Sequence, residues 1–350
     1  MRYGALAENP VERVVLMAGL LPTPLLDTYA AASGRAVMVA TKLGLFEALA
    51  PGALAADEVA RRCGTDPRAT EKLLNLLAGM CYVRFAPREG RYRLAAVART
   101  WLLADSPRSI RDNILMKFLE WQWFEGFEDF VRSGRPLDVH ATMSDDDWGL
   151  YQRGMRAQAT FAVPEVARRT PVPQGARDML DIGGSHGYFS VALCRRHPGL
   201  RATVLDLPAA VAHAAPLLVR EGLGDRVGHR AGDALTDDLG VEAYDLVFIF
   251  SLVHHFDDAT NRELVRRAAR ALRPGGVLAI GESIRPRSPR RAGQVGTFFD
   301  FYFALTSAAG TWTFEEMAAW QRGAGLRPRR PIRLLTVPGV GLQAATKPAA

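Results

Sequence analysis

The chain has 350 residues, 48% hydrophobic, 23% charged and 9% aromatic, enough ordinary globular sequence for two packed cores, which excludes a disordered tail, a collagen-like fibre and a disulfide-stapled miniprotein. Its formal charge of +7 comes from 44 basic against 37 acidic residues, with only four lysines (Lys42, Lys72, Lys117, Lys347), so the placement of the arginines decides whether the surplus marks a polyanionic partner. The three cysteines, Cys63, Cys81 and Cys194, lie far apart and outside any CxxC or Cys/His cluster, which argues against a disulfide framework or a metal site and for a reducing, cytoplasmic setting.

No apolar run approaches the roughly 20 residues of a bilayer span. The stretch 14–21 follows Glu8 and Glu12 and lacks a small-residue cleavage site, so neither a membrane partner nor a signal peptide is expected. Over 24–50, Leu25, Tyr29, Val37, Val39, Leu43 and Leu45 recur at helical spacing and predict two helices, broken near Ser33-Gly34 and closed at Pro51-Gly52. A short helix over 57–63, a turn at Gly64-Thr65, and a second helix capped by Asp66 with Pro67 at its first position follow. Two β-like runs, 82–85 and 91–94, joined by Pro87-Arg88-Glu89-Gly90, complete a winged-helix pattern over 1–100.

A winged helix invites a DNA-binding reading. Its second helix exposes the mixed set Arg68, Glu71, Lys72 and Asn75, and its hairpin sets Glu89 among Arg88, Arg91 and Arg93, whereas phosphate binding draws on several unopposed cations. A dimerisation module fits better than a nucleic-acid partner, and a small-molecule-sensing DNA-binding regulator stays as an alternative. Residues 101–173 read as a helical linker rich in large side chains, among them Trp121, Trp123, Phe124, Phe127, Trp148, Tyr151 and Met155, which serve a core or line an apolar pocket for a flat ligand. Thr170-Pro171-Val172-Pro173-Gln174-Gly175 ends this pattern, and a third domain is expected over 174–350.

There the period alternates: strands are expected over 179–182, 202–206, 227–231, 245–250, 277–282, 332–337 and 341–346, with helices over 189–196, 211–221 and 261–272, the last ended by Arg273-Pro274-Gly275-Gly276. That is a Rossmann-like, doubly wound α/β domain whose ligands sit at the carboxyl ends of the first strands. The first strand runs into Asp181-Ile182-Gly183-Gly184-Ser185-His186-Gly187 just before a helix. The spacing is neither GxGxxG nor a P-loop, so a nucleoside ligand without a pyrophosphate fits better than NAD or ATP. Asp206 closes the second strand and suits a ribose, while Gly232-Asp233 closes the third and suits the exocyclic amine of adenine.

Together these motifs resemble the class I S-adenosylmethionine-dependent methyltransferases, and more closely the small-molecule O-methyltransferases of the plant caffeate type and their bacterial relatives that tailor natural products. The resemblance covers nearly the whole chain and implies an N-terminal winged-helix dimerisation domain, a seven-stranded methyltransferase domain, S-adenosylmethionine as cofactor and a homodimer. It implies a cofactor site at Gly183, Gly184, Asp206, Gly232, Asp233 and Ser251, and places Tyr151 and Met155, an aromatic-x-x-x-Met element, over cofactor and acceptor. The aromatic run 298–306 aligns with the family's substrate wall, with Tyr302 and Thr306 as contacts.

In the family a histidine stands nine residues after the Asp that opens the fourth strand and two before an aromatic, which here is His254, followed by His255 and Phe256. A phenol of pKa near 10 is only about 0.1% ionised at pH 7, and a neutral imidazole near 6.5 can take its proton as the oxygen attacks. Glu282, at the end of the fifth strand, matches the carboxylate that orients this base. Four positions depart from the pattern: Thr311 stands where a second carboxylate is expected, Phe250 where plant relatives carry a Lys near the adenine, and Ser185-His186 where the loop has Gly-Thr. The implied activity is methyl transfer to a hydroxyl of a small aromatic acceptor without a metal. Transfer to carbon or nitrogen, or a non-methylating use of the cofactor, are the alternatives.

Overall fold

Two hydrophobic periodicities, helical before about residue 170 and alternating after it, organise the chain. The computed structural model describes Ala7 and residues 9–307 and 309–349, without the side chains of 291–293. The chain forms two compact units, one ending at Phe118 and the other beginning at Leu119.

The first unit contains α1 (Pro10–Met17), α2 (Thr23–Lys42), α3 (Leu45–Ala48), α4 (Ala56–Cys63), α5 (Pro67–Gly79), β1 (Val83–Ala86), β2 (Arg91–Leu94), α6 (Ala96–Trp101) and the start of α7 (Arg111–Phe124). Asp66 caps α5 by accepting from the Ala69 amide at 2.8 Å, which satisfies an otherwise orphan donor. β1 and β2 pair antiparallel with Val83 opposite Leu94, and Leu54 bridges Tyr92 beside them. The core gathers Phe46, Leu49, Val59, Leu74, Leu77 and Leu94 from the helices and the hairpin. One expectation fails here: α2 runs straight through Ser33-Gly34. A mid-helix glycine costs only about 1 kcal/mol, and burial of Val37, Met38, Ala40 and Thr41 along the same helix outweighs it. The chain turns instead at Gly44, whose φ of 80° lies in the left-handed region.

The second unit continues with α8 (Phe127–Ser133), α9 (Val139–Thr142), α10 (Asp145–Ala159) and α11 (Val163–Arg169), then alternates β3 (Asp178–Ile182), α12 (Tyr188–Arg196), β4 (Arg201–Asp206), α13 (Pro208–Val219), β5 (Val227–Ala231), β6 (Tyr244–Phe250), α14 (Asp258–Ala271) and β7 (Leu272–Ser283). It ends with α15 (Pro289–Thr306), α16 (Phe314–Gly323), β8 (Arg327–Pro328), β9 (Ile332–Arg333) and β10 (Val340–Thr346). The strand order β5-β4-β3-β6-β7-β10-β8 makes a sheet seven strands wide, with β9 pairing β10 beside β8. β3 to β7 are parallel and β10 runs against them. Side chains alternate across the sheet: Val247 and Ile249 join Leu264, Val265 and Met317 on one face, while Leu246 and Phe248 join Val166, Val191 and Leu193 on the other. Helices therefore cover both faces, and the order reverses between β4 and β6 on either side of β3, the switch point where such sheets open a ligand crevice.

Two boundaries differ from expectation for hydrogen-bonding reasons. β7 starts before Arg273-Pro274-Gly275-Gly276, because Gly275 N donates to Lys347 O at 3.0 Å and Gly276 O accepts from Lys347 N at 2.9 Å. The strand foreseen over 332–337 stops at Arg333 because the Leu335 and Thr336 amides bond the carboxylate of Glu165 at 2.8 Å instead of a neighbouring strand. Burial alone would raise the Glu165 pKa, yet these amides, the Thr336 hydroxyl and Arg169 hold it down at about 2. Among the described residues no helix is long and apolar enough to cross a membrane.

Candidate active site

Parallel register decides which residues meet. Ile182 lies level with Leu205 and Ile249, Asp206 with Ala231, and Phe250 with Gly281, so Gly183, Asp206, Gly232, Ser251 and Glu282 all fall along the carboxyl edge of the sheet. Gly183 N donates to Leu205 O at 2.8 Å and Gly232 N to Asp206 O at 2.9 Å. Asp206 accepts from the amides of Ser185 at 2.7 Å and Leu207 at 2.8 Å. Burial still outweighs these bonds and raises its carboxyl above the usual range. Asp233, half-buried, accepts from the Leu235 amide at 2.8 Å.

The glycines of the loop are required by the protein's own atoms. A Cβ on Gly184 would stand 2.5 Å from the Asp181 carboxyl carbon and 2.7 Å from Val204, and one on Gly183 would stand 2.8 Å from the Leu252 side chain, at a φ of 66°. Ser185 and Ser251 also take positive φ, 51° and 53°, a costly conformation for residues with a Cβ. Beneath the loop Asp181 is 1% exposed. Its Oδ2 accepts from the Ser190 hydroxyl at 2.6 Å, while Oδ1 is buried without a hydrogen-bond partner. Burial, opposed by Ser190 and reinforced by the charge of Asp206, pushes its pKa up to about 7. An unfilled acceptor at the turn suits the ammonium of an amino-acid moiety, and Asp206 retains lone pairs for ribose hydroxyls, so these residues fit an aminoacyl nucleoside such as S-adenosylmethionine.

Beyond β6 the chain makes a tight 3-10 turn at Val253–His255. The turn is pinned because the Val253 carbonyl accepts from Trp312 Nε1 and from Asn261 Nδ2, each at 2.9 Å. His254 emerges from it, 3% exposed, with Nδ1 3.0 Å from Oε2 of the fully buried Glu282. The other Glu282 oxygen accepts from the Ser283 amide at 2.8 Å. A carboxylate at Nδ1 keeps the hydrogen there and leaves the Nε2 lone pair open. Phe303 of α15 stacks on the imidazole at 3.9 Å between ring centroids. His255 lies 4.1 Å from it and meets the Ser307 hydroxyl through Nδ1 at 3.0 Å.

The residues expected on the acceptor side are largely aromatic. Tyr302 contacts Trp123, Phe124, Phe298 and Phe303. Burial, then Glu120 and Tyr151, raise its phenol well above the usual value. Burial and the same acid, joined by Asp206, raise Tyr151 also, so both rings stay neutral hydroxyls. Met155 follows one turn along α10 and is half-buried. The Thr306 hydroxyl donates back to the Tyr302 carbonyl at 2.9 Å. A cavity of about 310 Å³ opens beside this cluster, lined by Leu119, Trp123, Leu137, Val139 and Met143 among others.

Three features escape the sequence. His140 packs its ring on His255, Trp148 and Tyr151; it is one of seven histidines and stands outside any motif. The buried Gln152 accepts from the Ser185 hydroxyl at 2.5 Å; its place right after Tyr151 was the one available signal. Thr311 is buried and donates to the Asp300 carboxylate, so an acid does stand beside the departing position, supplied by α15. Phe250, where plant relatives have Lys, lies 4.3 Å from Phe189 and across Gly281, whose Cβ it would overlap.

The family pattern of the O-methyltransferase domain matches residues 131–327, and that of the O-methyltransferase dimerisation domain matches residues 28–104. The chain is 29% identical over 323 residues to the 3-hydroxy-5-methyl-1-naphthoate 3-O-methyltransferase of Streptomyces sahachiroi, covering 88% of this chain and 90% of that one. It is 32% identical over 317 residues to the acetylserotonin O-methyltransferase of Mus musculus, covering 83% and 80%. In structure it is similar to human N-acetylserotonin methyltransferase in complex with SAM, with a TM-score of 0.81 at 20% identity over 99% of this chain and 100% of that one.

Proposed function

The chain belongs to the O-methyltransferase family and uses S-adenosylmethionine as its cofactor, and from that premise we propose that it methylates a hydroxyl on a flat, largely apolar aromatic natural product, as a homodimer, with His254 as general base. The observation that carries this reading is the buried His254–Glu282 pair, aimed from a pinned turn into an aromatic wall. The matched dimerisation domain supports the homodimer. The naphthoate and serotonin derivatives in the relatives' names support an aromatic acceptor.

In this reading Asp206 accepts from the ribose hydroxyls, Asp233 from the adenine amine, and the open Oδ1 of Asp181 from the amino-acid ammonium. Gly183, Gly184, Gly232 and Ser251 shape the main chain around them. The bound cofactor supplies an electrophilic methyl group on a positively charged sulfur. Trp123, Tyr151, Met155, Tyr302 and Thr306 hold the acceptor ring and exclude water. His254 Nε2 would accept the proton of the acceptor hydroxyl, and Glu282 would stabilise the resulting imidazolium and fix its angle. Holding the oxygen in line is worth several kcal/mol by itself, so removal of the base leaves residual activity.

The test is His254→Ala, assayed against naphthols and hydroxybenzoates by the S-adenosylhomocysteine formed. We expect kcat to fall about 10²-fold or more while the affinity for S-adenosylhomocysteine, measured calorimetrically, stays as in the parent. Full activity in the variant would remove His254 as base and leave positioning as the source of rate.

A further inference from the structure

Resting on the reading above, we propose that His140 is a specificity-determining residue, hydrogen-bonding a second oxygen of the acceptor that presents its reacting hydroxyl to His254. Three imidazoles converge here from two elements, His140 from α9 and His254 with His255 from the turn after β6. His140, on α9, lies 4.8 Å from His255 between ring centroids, and His255 lies 4.1 Å from His254. The three differ in what their nitrogens do. His254 commits Nδ1 to Glu282 and His255 commits Nδ1 to Ser307, whereas His140 makes no hydrogen bond through either nitrogen among the described residues and is held by ring packing alone. Trp148 stacks on it at 5.6 Å and Tyr151 meets it edge-on at 5.5 Å.

Ring packing fixes the angle of the imidazole and leaves both nitrogens without a protein partner among the described residues. Burial, then the neighbouring His254, hold the His140 pKa at about 4, with Asp138 opposing them, so at neutral pH the ring is uncharged and offers one N–H donor and one acceptor. Such a group pairs with a hydroxyl or carbonyl and brings no charge of its own to attract a carboxylate or an amine cation. A site that carries an unspent polar edge discriminates strongly against ligands that leave it unpaired. The acceptor class this defines is an aromatic bearing two oxygens on the same or fused rings, one methylated and one recognised.

The experiment compares 2-naphthol with 2,3- and 1,8-dihydroxynaphthalene on the full-length protein, by kcat/KM and by calorimetric binding in the presence of saturating S-adenosylhomocysteine. For the parent, at least one diol should exceed 2-naphthol in kcat/KM by about 10-fold or more. His140→Phe, which keeps the ring stacking, should erase that ratio chiefly through KM and through weaker diol binding, and His140→Gln, which keeps a donor and an acceptor, should restore part of it. An unchanged diol-to-naphthol ratio in His140→Phe, or no diol preference in the parent, would overturn the proposal. Because the readout is a ratio between acceptors, it fails independently of the base assignment, which His254→Ala tests with the same compounds.

Discussion

At the carboxyl edge of the sheet, Asp206 takes the amides of Ser185 and Leu207, and Gly183 and Gly232 bond the neighbouring strands, so the cofactor side is fixed by main-chain bonds that parallel register imposes. On the acceptor side, His140, Tyr151, His254 and Tyr302 come from α9, α10, the turn after β6 and α15, and they meet through ring contacts. The proposed cofactor side keeps acids with unfilled acceptor capacity. The acceptor side keeps an imidazole, His140, and two phenols, Tyr151 and Tyr302, that burial holds neutral. A charged, invariant ligand favours rigid backbone cradles, while a variable apolar one favours side chains that can be exchanged without disturbing the sheet.

The largest expected effect breaks the cofactor side at its tightest point. In Gly184→Ala the new methyl meets both Asp181 and Val204 at well under 3.0 Å, and neither belongs to a flexible chain end. Overpacking of this kind costs about 1–3 kcal/mol, so the melting temperature should fall by several degrees and calorimetric S-adenosylhomocysteine binding should be lost. A variant that binds as the parent does would mean that the loop yields, contrary to a cradle fixed by its backbone.

The same contrast explains what the sequence made legible. Strand ends announce themselves, because a short apolar run followed by glycine or an acid marks both the element and its edge, and Asp181 through Gly187, Asp206 and Gly232-Asp233 sit where that logic puts them. His254 and Glu282 came from the family resemblance instead, and the structure brings them within 3.0 Å. His140 and Gln152 were not legible, since no local pattern tells a helix residue which distant ring it will face. The misplaced break at Gly34 and the overlong strand after Ile332 have a common origin: the deciding partners, a buried helix face and the Glu165 carboxylate, lie far away in sequence.

A middle-sized effect tests whether the two sides are separable. Glu282 contacts His254, the base we propose, and belongs to the sheet edge, so Glu282→Gln probes the junction between them. The amide loses the charge that stabilises the imidazolium and no longer dictates the tautomer, so kcat should drop on the order of 10- to 100-fold, with Glu282→Asp recovering part. If S-adenosylhomocysteine affinity, measured alongside, falls by a similar factor, the division into independent sides is wrong at this residue.

The smallest effect concerns the cofactor side before anything binds. The Asp181 carboxyl, with a pKa of about 7 against an ordinary 3.8, keeps its proton in the folded state over a range where the unfolded chain has lost it. Its contribution to stability is therefore greatest below about pH 4 and declines as pH rises toward 7, with a slope of at most about 1.4 kcal/mol per pH unit. Two histidines act oppositely: the half-buried His140 and the buried His186, held neutral at about 4 and about 3, withdraw stability as pH falls below their unfolded value. The parent's net slope mixes the two, so the decisive quantity is the difference between parent and Asp181→Asn in urea unfolding at pH 5, 6 and 7. That difference should shift steadily in favour of the variant as pH rises, and saturating S-adenosylhomocysteine should shrink it, since an ammonium at Oδ1 favours the ionised carboxylate. A difference that is flat with pH would place an ordinary carboxylate beneath the loop and remove the open acceptor from the cofactor side.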